Sequence, residues 1–265
     1  VDIFLTSVWG TVRSADLAVE AERAGVRTVW LAEHHGTTYG QCRDALALAS
    51  SILEGTRKVR VGTAAIPFWR WTPSVLAELV LGADSSRWPA APDGKGAVGG
   101  QGALGGQGAL GGRFTLGVAR GSRPEALAGA CSVEHYETGF APWLREVADL
   151  LRDGPTVMVA ASSRETVELA ASLRMPLLVG VENDDEMVAE KVRSWGPGGD
   201  HVRLVLPSTV DRAWMLEWQG RKLSEPEPYV DRIMSIRPSG TMRVAVMAEA
   251  AGQFSAALSA VRTEG

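Results

Sequence analysis

Short apolar runs rich in β-branched residues alternate along this chain with longer amphipathic stretches, and this alternation narrows the possible folds sharply. Strands are expected over residues 1–5 (VDIFL), 28–32 (TVWLA), 59–68 (VRVGTAAIPF), 114–118 (FTLGV), 156–160, 176–181, 201–206 and 243–247. Helices are expected between and after them, over 14–24, 45–53, 74–81, 136–151, 164–173, 184–195 and 253–261. Gly25 follows the first of these as a C-cap, and Pro73 opens the third, where its fixed φ suits a helix start. The strands are apolar at successive positions rather than at every second one, which is the mark of a parallel sheet covered on both faces. Some eight strand–helix units in a row favour a closed (β/α)8 TIM barrel over an open sheet. Such a barrel needs about 250 residues as one unit, and the chain has 265. A single barrel domain over 1–265 is therefore expected.

One segment departs from the pattern. From 88 to 112 the chain reads WPAAPDGKGAVGGQGALGGQGALGG, with GGQGAL repeated. This low-complexity, Gly-rich composition is expected to be an insertion between the third helix and the fourth strand, at the barrel face away from the chemistry. Its glycines do not leave a strand to open a helix, so a dinucleotide fingerprint is a weak reading. The net charge of −4 gives no general electrostatic case for nucleic acid as a partner. Two cysteines cannot build a disulfide framework, and with no basic leader or long apolar run the chain reads as cytoplasmic and not membrane-bound.

Four clusters stand at strand ends, where barrel enzymes keep their chemistry. Glu33-His34-His35-Gly36 follows the second strand and holds two of the four histidines. An imidazole there can move a proton near neutral pH, or the cluster can simply tie loops together. No third ligand shows metal spacing, so no metal is expected. Gly62-Thr63-Ala64-Ala65-Ile66-Pro67 closes the third strand with small side chains that leave room for a flat ligand; ordinary tight packing is the plainer alternative. Arg120, set between Ala119 and Gly121, can offer a guanidinium to a phosphate. Ser162 and Ser163 sit where the fifth strand gives way to a helix, suited to the same phosphate or to simple N-capping with Glu165 in support. Phe68, Trp69 and Trp71, after the third strand, are candidates for the substrate wall, with loop packing or a subunit interface as the alternative.

Taken in order, the segments AERAGVRTVWLAEHHG (21–36), TRKVRVGTAAIPF with TPSVLAE (56–68 and 72–78), GRFTLGVARG (112–121) and VAASSRETVELAASLRMPLLVG (159–180) resemble the bacterial luciferase-like flavin-dependent monooxygenase family, with a fainter echo in RVAVMAEAAGQFSAAL (243–258). The resemblance implies a barrel that binds reduced FMN, supplied by a separate flavin reductase, or in one branch a deazaflavin. It implies His34 as the catalytic residue and a non-prolyl cis peptide at Ala64–Ala65 against which the flavin ring packs. Arg120 and Ser162 would contact the phosphate, with Ser163 beside them. The implied chemistry is oxygenation of a small or medium organic substrate, in the setting of specialised metabolism, by a homodimer. The alternatives are a deazaflavin-dependent oxidoreductase and a noncatalytic flavin-binding or partner subunit. This chain departs from the family pattern in the split of ADSSR (83–87) from GRF (112–114), in the short stretch between Arg120 and the fifth strand, and over 211–240. Shortened loops and a more open mouth are expected.

Overall fold

A computed structural model describes residues 2–5, 10–34, 42, 44–82, 111–121, 139–161, 163–180, 185–196, 201–205 and 242–248. In chain order they form β1 (Asp2–Leu5), α1 (Gly10–Arg23), β2 (Thr28–Leu31), α2 (Ala45–Gly55), β3 (Arg60–Thr63), β4 (Ile66–Pro67), α3 (Pro73–Leu81), β5 (Phe114–Ala119), α4 (Phe140–Leu150), β6 (Thr156–Ala160), α5 (Arg164–Ser172), β7 (Leu177–Val179), α6 (Asp185–Trp195), β8 (His201–Val205) and β9 (Met242–Ala248). The expected last helix and most of the Gly-rich segment fall outside the described residues.

Every strand pairing is parallel, in the order β3-β2-β1-β9-β8-β7-β6-β5-β4. A further pairing of β3 with β5, Val61 opposite Phe114 and Gly62 opposite Thr115, closes the order into a ring, with β4 continuing along β5 beyond it. The protein is a closed α/β barrel. The one long third strand expected from the sequence is two pieces. β3 stops at Thr63, the chain passes through a cis Ala64–Ala65 peptide, and β4 resumes beside β5 with Ile66 opposite Val118.

At this break a side chain takes over from the backbone ladder. The Thr63 hydroxyl donates to the Gly117 carbonyl and accepts from the Gly117 N–H, both at 2.9 Å, while Thr63 is fully buried. The approach is so close that a Cβ on Gly117 would lie 1.9 Å from the Thr63 carbonyl oxygen. Only glycine lets the two strands meet here.

Strand alternation sorts the apolar side chains into two layers. Ile3, Leu5, Val29, Leu31, Val61, Leu116 and Val118 belong to the layer that takes in the helices, with Leu17, Leu48, Ile52, Leu76, Leu144 and Val147. The alternate positions Phe4, Trp30, Met158, Leu178 and Val202 form a separate cluster inside the ring. Trp30 is fully buried there, and its indole N–H donates to the buried Asp2 carboxylate at 3.0 Å. A Cβ on Gly62 would come within 2.4 Å of the Trp30 ring, so the small residue on β3 makes room for the large one on β2. The lumen is plugged with side chains, as a packed core should be.

The opposite face of the barrel is pinned by two charged residues. The Glu22 carboxylate, on α1, accepts the backbone N–H groups of Arg57, Lys58 and Val59 at 2.6–3.1 Å. Arg113, at the entry to β5, donates to the carbonyls of Leu53, Thr56 and Val59 and to the Thr56 hydroxyl. It thereby satisfies carbonyls that the C-terminus of α2 would otherwise leave open.

Partial burial works against the charge on Glu22, but the N–H bonds from Val59, Lys58 and Arg57 and the nearby Arg113 outweigh it and hold its carboxyl below the usual glutamate value of 4.5. A depressed carboxyl stabilises the fold above its unfolded pKa and loses that contribution as pH falls through the folded value. The stability advantage of the wild type over Glu22→Gln should therefore be largest near neutrality and shrink toward zero by about pH 3, as read from urea unfolding across that range.

Candidate active site

The C-terminal ends of β2, β3 and β6 converge above the plug. Strand alternation puts Ala32 above Trp30, and Ala160 above Met158, on the lumen side; Ala64 and Ala65 pack against the same cluster. The floor is thus broad and apolar, while the side chains that rim it from these strands are alanines. The Ala64 N–H donates to the Leu31 carbonyl at 2.7 Å, which fixes the cis peptide beside the end of β2. Small apolar side chains at such a place offer contact to a flat apolar ring.

The same alternation separates Glu33 from His34. Glu33 falls on the outer parity, and its side chain is 1% exposed. One carboxylate oxygen accepts the Ala45 N–H at the start of α2, at 2.9 Å; the other pairs with Arg70 at 3.0 Å. Arg70 also reaches Asp44, the N-cap of α2, at 3.6 Å, and its guanidinium lies 4.7 Å from the centre of the Trp71 ring. Glu33 therefore ties the end of β2 to two neighbouring loops. His34 falls on the lumen parity, half-buried, with its N–H donating to the Cys42 carbonyl at 3.0 Å. His35 lies outside the described residues.

Arg120 and Ser163 are brought together in an open cleft of about 540 Å³ between α4 and α5. Gly121, just after Arg120, has φ +76°, and a Cβ there would come 2.6 Å from the Trp69 indole nitrogen, so only glycine completes this turn. Ser163 is the N-cap of α5, accepting the Thr166 N–H at 3.3 Å. Across the turn, Lys191 on α6 donates to the Ala161 carbonyl at the end of β6. Glu165 lines the same cleft. Its carboxyl lies below the ordinary range because the Ser163 hydroxyl and its own backbone N–H bond the ionised form, with Arg120 and Arg164 adding positive charge. Ser162 lies outside the described residues.

The structure packs two of the three aromatic candidates into the outer layer and leaves Trp71 half-buried. Phe68 is 1% exposed and packs edge-on against Phe140 and Trp143, with ring centres 5.5 and 5.9 Å away. Trp69 is buried beneath Gly121. Trp71 is half-buried, and its carbonyl accepts the Trp143 indole N–H at 2.8 Å. Phe68 and Trp69 belong to the layer between the barrel and α4, because the chain turns outward in the 3-10 turn Phe68–Arg70 instead of continuing up the mouth. Ala32 and Ala160, missed from the sequence, were open to the same alternation argument; Arg70 as the partner of Glu33 left no local signal. Among the described residues, no group of His, Cys, Asp and Glu side chains is arranged to hold a metal, and no helix is long and apolar enough to cross a membrane.

These features define a parallel α/β barrel with an apolar floor edged by alanines at the C-terminal ends of its strands, and known proteins resemble it in sequence and fold. Residues 12–85 match the family model for luciferase-like monooxygenases. The alkanal monooxygenase alpha chain of the Kryptophanaron alfredi symbiont is 39% identical over 54 residues, 20% of this chain and 15% of that one. The alignment thus spans only a small part of that relative's length. A monooxygenase, RslO1, from Streptomyces bottropensis shares the fold over 97% of this chain and 96% of its own, with TM-score 0.66 and 15% identity. The oxygenating constituent of 3,6-diketocamphane monooxygenase from Pseudomonas putida, solved with FMN, gives TM-score 0.55 and 13% identity over 82% and 70% of the two chains. An F420-dependent secondary alcohol dehydrogenase, solved with an F420-acetone adduct, gives 0.57 and 14% over 100% and 90%. Over residues 12–85, therefore, the chain is similar to the luciferase-like monooxygenases, and the solved structures share its fold.

Arg70 is the part of this site most open to a stability test. Arg70→Ala would remove the ion-pair partner of the buried Glu33 carboxylate, and a stability loss of about 3 kcal/mol is expected, measured by chemical denaturation. A loss under about 1 kcal/mol would show the pair to be replaceable by water.

Proposed function

We propose that the chain is an FMN-dependent monooxygenase that uses reduced flavin and oxygen on a small or medium organic substrate. The observation that carries this reading is the alanine-edged apolar cluster that fills the lumen, with the cis Ala64–Ala65 peptide on one side and His34 on the lumen parity of the adjacent strand. The residues present fit the group. Ala32, Ala64, Ala65 and Ala160 would face the ring system, and Arg120 with Ser163, and Ser162 beside it, would hold the phosphate. A bound reduced flavin supplies the electrons for reaction with oxygen, or, in the deazaflavin form, a hydride.

The protein's own part is positional and electrostatic. The apolar floor of Trp30, Met158 and Leu178 closes the site to water from below, which favours productive use of oxygen over leakage. His34 donates or accepts a proton beside the ring, its backbone held by the Cys42 carbonyl while the preceding Glu33 is locked by Arg70. Arg120 and the start of α5 offer a guanidinium, a hydroxyl and helix N–H groups to an anion. The relative solved with FMN supports this cofactor, and the F420-dependent relative keeps a deazaflavin-dependent oxidoreductase as the second reading. In either case the protein is proposed to work as a homodimer, with a separate reductase delivering the flavin in the first.

Anaerobic titration with reduced FMN and with reduced deazaflavin, followed by admission of oxygen, separates the readings. Tight FMN binding with oxygen uptake is expected; binding of deazaflavin alone, with substrate-linked absorbance change under argon, would select the second. His34→Ala should lower product formation about a hundredfold while FMN affinity stays within about threefold; undiminished turnover would remove His34 from the chemistry. Arg120→Ala should weaken FMN about tenfold and riboflavin hardly at all, because only FMN carries the phosphate. Equal losses for both ligands would make the arginine a structural residue.

A further inference from the structure

Glu33 and His34 lie past the ladder of β2. That strand ends at Leu31, and the Ala32 N–H still donates to the Leu5 carbonyl at 3.2 Å. Beyond it the φ and ψ of two residues must be fixed by other means. The His34 N–H is held by the Cys42 carbonyl. One residue earlier the Glu33 carboxylate is held on both oxygens, by the Ala45 N–H at 2.9 Å and by Arg70 at 3.0 Å. Arg70 is only 17% exposed, and its own direction is imposed from the packed layer. It closes the 3-10 turn Phe68–Arg70, in which Phe68 packs edge-on against Phe140 and Trp143 of α4. The Trp71 ring covers the guanidinium, and the Trp71 carbonyl accepts the Trp143 indole N–H. The other branch of the guanidinium reaches Asp44, the N-cap of α2. The clamp on Glu33 is thus rooted in two helices of the outer layer.

We infer that Arg70 is a positioning residue for His34: through the buried Glu33 carboxylate it fixes the backbone from which the imidazole projects, and Phe68, Trp71 and Trp143 in turn hold Arg70 in place. A proton carrier must sit within about 0.5 Å of its productive place, which side chains locked by packing and by hydrogen bonds behind the site secure. A displacement of about 1 Å costs on the order of a hundredfold in rate. Reading His34 as the proton carrier rests on the function proposed above; the coupling of Arg70 to the backbone at His34 does not. Phe68 and Trp71 thereby take part in the site through Arg70, from positions in the packed layer.

The test uses the full chain and begins without flavin. The chain has four histidines, so the ring signal of His34 in a proton–carbon NMR spectrum is identified by its loss in His34→Ala. Arg70→Met keeps the stem of the side chain and removes the guanidinium, while Arg70→Lys returns a cation to Glu33 without the fork to Asp44. Unfolding curves set conditions in which every form is fully native. Arg70→Met should shift or broaden the His34 ring signal, and Arg70→Lys should return it toward the wild type. Oxygen uptake with reduced FMN should show kcat about ten- to a hundredfold lower in Arg70→Met, with KM for reduced FMN within about threefold. Arg70→Lys should stay within about threefold of the wild type in both. A loss of stability with the His34 signal and kcat unchanged overturns the inference, because Arg70 then serves the fold alone. A loss carried wholly by KM also overturns it. A displaced His34 signal in Arg70→Met, with no form binding flavin, upholds the positioning and removes the flavin reading instead. Should Arg70→Met not fold, Trp71→Leu leaves the ion pair and uncovers the guanidinium; the His34 signal should move and kcat fall about threefold, and no change in either overturns the inference.

Discussion

β3 and β5 can be joined only if two strands approach more closely than side chains normally permit, and Thr63 with Gly117 is how this chain achieves it. The threonine hydroxyl both donates to and accepts from one glycine residue, replacing the ladder bonds that are lost when β3 stops. From this closure follow the inside and outside of the barrel, hence the plugged lumen. The break also sets Ala64–Ala65 where the strand would otherwise have continued, so the seam of the ring and the wall of the candidate site are one feature.

Around that seam the polar residues divide by parity. The outward Glu33 carries structure, locking α2 and Arg70, while Glu22 on α1 and Arg113 before β5 hold the far face. Lumen positions carry apolar bulk and the Asp2 carboxylate that accepts the Trp30 N–H low in the barrel, and alanine or histidine at its rim. One residue step along β2 thus separates a buried ionic clamp from the candidate proton carrier. This explains why two adjacent polar residues at a strand end have such different surroundings.

Much of this was legible in the sequence. The eight strand runs, the start of α3 at Pro73 and the N-cap at Ser163 all follow from local chemistry that tertiary contacts did not override. The cis peptide at Ala64–Ala65 followed from family resemblance, and nothing in the residues alone would have revealed it. α1 begins at Gly10, earlier than its apolar periodicity suggests, because a helix may start before its buried stripe does. Phe68 and Trp69 take up the packing alternative for a related reason. An apolar residue beyond a strand end can face the mouth or the outer layer, and the 3-10 turn that decides between them has no periodic signature. The pairing of Glu33 with Arg70 spans 37 positions and depends on two loops meeting, which local patterns cannot encode.

The grip of Arg113 on the end of α2 has a consequence for how such a chain can vary. The guanidinium fixes the point at which the chain re-enters the barrel, on the face remote from the alanine rim. The entropy of closing the preceding connection rises only with the logarithm of its length. Residues can accordingly be gained or lost between Gly82 and Gly111 without transmitting strain to the mouth. Repeat expansion such as the doubled GGQGAL hexamer is tolerable there as a matter of polymer physics, and the same connection is a natural place to graft a peptide or a tether onto this scaffold.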